Sequence, residues 1–184
     1  MIIGLVGYIG SGKTTIAKIL EKEHGYTRLS FADPLKEQCA HMIHWATPDI
    51  PVDRVLHAIH DPQGKHVYRG LLQWYGVYMR NWDPAYWVRQ LEDRILSLKR
   101  SEVADIVIDD LRFPNEATML RKQEAMLLRV HRPEVDRKVD KWELHESEMH
   151  VQDMEVDGII LNNTTVEDLD ESIRNILEIS KEWV

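Results

Sequence analysis

Cysteine occurs once, at Cys39, so the chain cannot close an internal disulfide. Its place in an amphipathic stretch fits a small packed residue. No apolar run approaches the ~20 residues that cross a bilayer. Basic residues are in deficit, 23 Lys and Arg against 31 Asp and Glu, for a formal net charge of −8. That balance argues against a general binder of nucleic-acid polymers, whose affinity rests on a basic surface. No charged segment precedes the first apolar run, so a signal peptide is not expected and the cytoplasm is the expected compartment. Repeats and low-complexity linkers are absent as well. The 184 residues suit a single domain, with 43% hydrophobic and 29% charged residues as in ordinary globular proteins. Tryptophan is abundant: six are present, with Trp74, Trp82 and Trp87 close together.

Against that background one string stands out. Gly7-Tyr8-Ile9-Gly10-Ser11-Gly12-Lys13-Thr14 satisfies G-x-x-x-x-G-K-[ST] at every fixed position. The run before it, Met1 to Val6, is apolar and β-branched, the pattern of a buried strand; Ile16, Ile19 and Leu20 after it fall on one helical face. In such a strand–loop–helix unit the glycines let successive N–H groups point at a polyphosphate, and the helix adds the positive end of its dipole. The pattern predicts a site for a nucleoside triphosphate: Gly10, Ser11, Gly12, Lys13, Thr14 and Thr15 on the phosphates, and the Thr14 hydroxyl on Mg²⁺.

Further strands are expected at Tyr26–Phe31, Val103–Asp109, Ala125–His131 and Gly158–Leu161. The intervening helices are expected to start at Asp33-Pro34, with Asp33 as N-cap, at Gly70, at Asp83-Pro84 and at Pro114, with an acidic helix from Val166. Residues 47–70 read as loop with one short helix around Val52–Ile59. Five apolar strands separated by helices predict an α/β three-layer sandwich, a five-stranded parallel sheet with ligands at the carboxyl ends of its strands.

Asp109-Asp110-Leu111-Arg112 closes the third expected strand. A carboxylate at the tip of a core strand beside a phosphate loop can hold Mg²⁺. Neighbouring strand residues face opposite ways, so the two acids have different tasks. Asp109 is taken for the metal and Asp110 for the acceptor or for orienting Arg112, with the reverse division equally open. Residues 132–149 are charged and poor in apolar side chains; Arg132 and Arg137 are the members suited to clasp a transferring phosphoryl group. Asp33, Lys36, Gln73, Arg80 and Trp82 form a candidate acceptor site, in which Gln73, Gly76 and Arg80 share a helical face and Gly76 would admit a ring. Trp74 and Trp87 are expected in the core. Asn162-Asn163-Thr164-Thr165, after the last strand, is primarily turn and N-cap chemistry, and in a sheet of this kind the same loop can also border the purine of the triphosphate, with Asn162 as the candidate.

Several longer strings carry a family likeness: Leu29–Lys36, Leu71–Gly76 with Arg80, Asp83–Val88, Asp109–Ala117, Arg129–Pro133 and His145–Glu148. With the glycine loop they resemble, over nearly the whole chain, the phage-type deoxynucleoside monophosphate kinases of the P-loop nucleoside and nucleotide kinase superfamily. Glu146 stands where that pattern has proline. The resemblance implies a P-loop kinase fold with a short lid at about 132–149 and an acceptor-binding helical region at about 33–100. It implies transfer of the γ-phosphoryl of ATP to a deoxynucleoside 5′-monophosphate, with Mg²⁺. Lys13, Asp110, Arg112, Arg132 and Arg137 would serve catalysis, and Arg112 would also hold the acceptor phosphate. The implied partners are small-molecule nucleotides, not membranes or polymers; a homodimer is left open, and a phage-encoded chain would work in the host cytoplasm. Two alternatives stand beside this reading: a P-loop kinase of another small molecule (dephospho-coenzyme A, a nucleoside or a sugar), and an acceptor-independent ATPase switch.

Overall fold

β1 (Ile2–Val6) is buried at all five positions, as a run of Ile, Leu and Val flanked on both sides by other strands must be. The structure is a computed structural model that describes residues 1–61, 64–103, 105–136, 148–163 and 165–181. The other strands are β2 (Thr27–Leu29), β3 (Ile106–Leu111), β4 (Met126–His131) and β5 (Gly158–Leu161). All pair in parallel in the order β2-β3-β1-β4-β5. This five-stranded parallel sheet with its helices is the architecture expected from the sequence.

Two compact units are present: Met1–Ser30 with Ile95–Val184, and Phe31–Arg94. The first holds the whole sheet, together with α1 (Lys13–His24), α6 (Pro114–Lys122), the short α7 (Pro133–Asp136) and α8 (Val166–Lys181). Its core joins Ile3 and Leu5 of β1 to Ile16 and Leu20 of α1, Val107, Leu128, Val130, Ile160, and Leu169 and Ile173 of α8. Each fully buried Leu or Ile contributes about 1.5–3 kcal/mol, against about 0–1 kcal/mol for an exposed ion pair. Apolar packing of β1 and α1 therefore holds the turn between them. α1 ends at Gly25, whose N–H returns to the Leu20 carbonyl.

The second unit is helical: α2 (Ala32–Ala46), α3 (Val52–His60), α4 (Lys65–Trp82) and the first part of α5 (Tyr86–Arg100). Cys39, Ala40, Val55 and Ile59 form its core, with Leu35, Ile43 and Tyr75 against them. Burial pushes the Cys39 thiol up to about 11, so it is a packed, unreactive side chain. The Gln38 side-chain carbonyl accepts both the Tyr75 and the Tyr86 hydroxyls, at 2.9 and 3.0 Å.

Element boundaries depart from expectation; β2, for one, is shorter than Tyr26–Phe31. α2 begins at Ala32, so Asp33 lies within the first turn and is not the N-cap; Pro34 is tolerated there because first-turn N–H groups have no helical partner. α4 begins at Lys65 and runs through Gly70. Asp83 ends α4, extended and with its N–H on the Met79 carbonyl, while its carboxylate accepts the Ala85 N–H at 3.0 Å before α5 starts at Tyr86. β3 runs Ile106–Leu111 against an expected Val103–Asp109, so Asp109 and Asp110 lie inside the strand and not at its tip.

Candidate functional site

The turn from β1 into α1 is built around two left-handed glycines, Gly10 with φ 82° and Gly12 with φ 103°. A Cβ on Gly12 would stand 2.1 Å from the Asn162 amide nitrogen. Backbone conformation and close approach both demand glycine there. No side chain caps α1 and no acid lies in its first turn, where Thr14 and Thr15 are exposed. The Ser11 hydroxyl is fully buried and lacks a hydrogen-bond partner among the described residues. A buried hydroxyl beside open helix-start amides is the donor chemistry of an oxyanion cradle.

Lys13 is 8% exposed and folds back, its Nζ donating to the Gly7 and Tyr8 carbonyls at 2.5 and 2.9 Å. Burial brings its ammonium down to about 8; the positive charge of Arg112 adds to the fall, while Glu148, Asp110 and Asp109 oppose it. Arg112, Glu148, Asp110 and Asp109 are therefore the charged groups that act on the lysine. Arg112 is held through its backbone: its N–H and that of Phe113 both donate to the Glu116 carboxylate, at 2.9 and 3.0 Å. Glu116 is buried at the third position of α6, where an acid reaches back to the amides before the helix.

Asp109 and Asp110 are separated by the strand's alternation. Asp109 is buried and takes two hydrogen bonds from the Arg28 guanidinium, at 2.5 and 2.9 Å. Asp110 accepts the Ser30 hydroxyl at 2.6 Å. Asp109, the first choice for the metal, is thus engaged in an ion pair across to β2, and Asp110 is the acid that acts more strongly on Lys13. Asn162 lies against the loop. Its amide donates to the Ser11 carbonyl at 2.7 Å, so it braces the loop backbone. An Arg132 guanidinium nitrogen reaches the Gly10 carbonyl at 3.3 Å. Arg137 and most of the expected lid lie outside the described residues.

In the helical unit Lys36 and Asp33 pair with each other at 3.0 Å. Gln73 is exposed and Arg80 half-buried on α4. Gly76 does not present an opening for a ring: a Cβ there would sit 3.2 Å from the Leu35 side chain. Its carbonyl accepts the Trp87 indole N–H at 3.1 Å. Trp87 is buried as expected, but Trp74 is 58% exposed and stacks on Tyr78 with ring centroids 5.5 Å apart. Trp82 is 74% exposed.

Arg28, Ser30, Glu116 and Glu148 escaped the sequence reading as site residues. Glu116 left a signal, an acid three residues after Phe113 at a proline-started helix. The contacts of Arg28 and Ser30 depend on β2 lying beside β3, which no local string records.

A buried lysine and a glycine cradle at the carboxyl end of the central strand of a parallel sheet define a P-loop nucleotide-binding protein. The fold agrees with solved kinases at low identity. Dephospho-CoA kinase from Campylobacter jejuni superposes with a TM-score of 0.55 at 14% identity, over 100% of this chain and 98% of that one. Shikimate kinase from Aquifex aeolicus gives 0.51 at 16%, over 98% of each. Residues 49–173 match the deoxynucleotide monophosphate kinase family, and the chain belongs to it. It is also 28% identical over 186 residues, 91% of both chains, to an Acanthamoeba polyphaga mimivirus protein bearing the provisional name deoxynucleotide monophosphate kinase. The matched span starts beyond the glycine loop, so loop geometry and family likeness are independent observations. Among the described residues no helix is long and apolar enough to cross a membrane.

Proposed function

We propose that this kinase transfers the γ-phosphoryl of ATP to a deoxynucleoside 5′-monophosphate, giving the diphosphate and ADP. The observation that carries the donor half is the buried Lys13 within the Gly10–Gly12 turn, beside the orphaned Ser11 hydroxyl. The family match supports the acceptor half. The amides of residues 10–15 and Lys13 hold the β- and γ-phosphates. Thr14 and Asp110 would hold Mg²⁺, which supplies charge neutralisation on those phosphates when bound. We assign the metal to Asp110 because Arg28 already engages Asp109.

Arg112, its backbone fastened by Glu116, clasps the acceptor phosphate, and Arg80 and Gln73 of α4 recognise the rest of the nucleotide. Asp33, Lys36 and Trp82 belong to the same recognition set. Arg132 and Arg137 neutralise charge as it develops on the transferring group. The acceptor is already an anionic phosphate, so the chain needs to orient it in line and exclude water, without a strong general base.

A panel of deoxynucleoside monophosphates, nucleosides and dephospho-coenzyme A with magnesium-ATP tests the assignment. The expected result is a diphosphate product from at least one deoxynucleoside monophosphate and no monophosphate product from any nucleoside. Preferential phosphorylation of dephospho-coenzyme A, or ADP release that no acceptor accelerates, would refute it.

A further inference from the structure

Glu148 is an acid where an acid is costly. It is 9% exposed, and its Oε1 accepts the Ile9 N–H at 2.7 Å, across 139 residues of chain. Ile9 is the residue before Gly10, at the exposed mouth of the loop, and is itself 66% exposed. A carboxylate so near a polyphosphate site repels the ligand unless it does something else for the loop. Its contact suggests what that is. The Ile9 amide adjoins the amides of residues 10–15 assigned to the phosphates, so Glu148 engages the loop without occupying the donors themselves. Two further peptides of the turn are fastened too, through the Gly10 carbonyl by Arg132 and the Ser11 carbonyl by Asn162. Three consecutive loop residues are thus each tied by a side chain from β4, β5 or the segments after them. Glu148 holds an N–H where Arg132 and Asn162 hold carbonyls. Peptide planes gripped at both ends of the turn cannot rotate freely, which keeps the adjoining N–H groups facing one side.

We propose that Glu148 is a positioning residue for the phosphoryl donor: by gripping the Ile9 amide it sets the loop amides that receive the triphosphate. The inference rests on the donor assignment made above and extends it to a residue outside the phosphate-binding motif. A charge-assisted hydrogen bond to an amide is of a strength that one-sided removal converts to about ten- to a hundredfold in affinity.

Calorimetric titration with magnesium-ATP tests this on E148Q, which keeps an acceptor oxygen, and on E148M and E148A, which do not. E148Q is expected to bind within about fivefold of wild type. E148M and E148A are expected to bind about tenfold more weakly or worse, with thermal unfolding midpoints close to wild type. E148M binding as tightly as wild type, or tighter, overturns the inference; so does E148Q falling to the level of E148M. Loss of fold in both non-accepting variants makes Glu148 a structural residue and overturns it as well. A wild-type chain that binds ATP but phosphorylates no deoxynucleotide refutes the proposed acceptor alone, because this readout needs no acceptor.

Discussion

Arg28 and Asp109 share two hydrogen bonds, at 2.5 and 2.9 Å, that tie β2 to β3 beside the phosphate loop. The next residue, Asp110, meets the Ser30 hydroxyl and acts on Lys13. One acid is therefore a structural tie and its neighbour a candidate for chemistry. Breaking a fully buried ion pair costs about 3–5 kcal/mol. With Arg28 31% exposed, D109N should cost about 2–3 kcal/mol, lowering the thermal midpoint by about 5–10 °C. D110N should leave the midpoint within about 2 °C and lower turnover by about a hundredfold or more. Calorimetric melting with initial-rate assays separates the two, and equal loss of stability in both variants would contradict the division.

Lys13 titrates in a pH range where nucleotide binding can report on it. Burial puts its folded value at about 8 against an ordinary 10.5. The charged form binds phosphate, so affinity for magnesium-ATP should fall as pH rises through about 8, approaching tenfold per unit for one proton. At pH 9 the complex should take up close to one proton, visible as a dependence of the binding heat on the buffer's ionisation heat. For the free chain the sign is opposite. Between about 8 and 10.5 the unfolded state binds more protons than the folded, so this group's contribution to stability rises with pH. K13A should fold, and should lose about 10²–10³ in turnover.

Gly12 is constrained twice, by φ 103° and by the Asn162 amide 2.1 Å from where a Cβ would lie. G12A should abolish detectable ATP binding. G12A/N162A should remain defective, because removing the amide relieves the clash and leaves the backbone strained. N162A alone frees the Ser11 carbonyl and should weaken ATP binding about tenfold. Full recovery in the double variant would show that crowding, not backbone conformation, requires the glycine.

Gly76 predicts a stability effect in the helical unit. Its missing side chain makes room for Leu35, which would stand 3.2 Å from a Cβ there, and its carbonyl receives the Trp87 indole. G76V should cost about 1–3 kcal/mol through overpacking, measured by denaturant unfolding. W74A, at an exposed position, should cost less than about 0.5 kcal/mol.

Local chemistry makes the fold and the turn from β1 into α1 legible. The apolar run before Gly7 and the helical spacing after Lys13 describe β1, α1 and their turn from residues adjacent in sequence, and β5 was placed at its observed bounds. The ion pair of Asp109 is not legible in the sequence, because β3 runs three residues past its Ile106–Ile108 apolar stretch and the partner Arg28 comes from a different strand. Gly76 looked like room for a ligand because a glycine on a helix gives no sign of which neighbour fills the space. The aromatic cluster at 74–87 mixes buried Trp87 with exposed Trp74 and Trp82. Only the packing of α2 and α4 within their unit separates those roles.

Phosphorus NMR of the purified chain with magnesium-ATP and a deoxynucleoside monophosphate tests the central claim most directly. A β-phosphate resonance of the deoxynucleoside diphosphate should grow mole for mole with ADP, and orthophosphate should stay near background. Orthophosphate accumulating at the same rate with and without the monophosphate, and no new diphosphate, would contradict it.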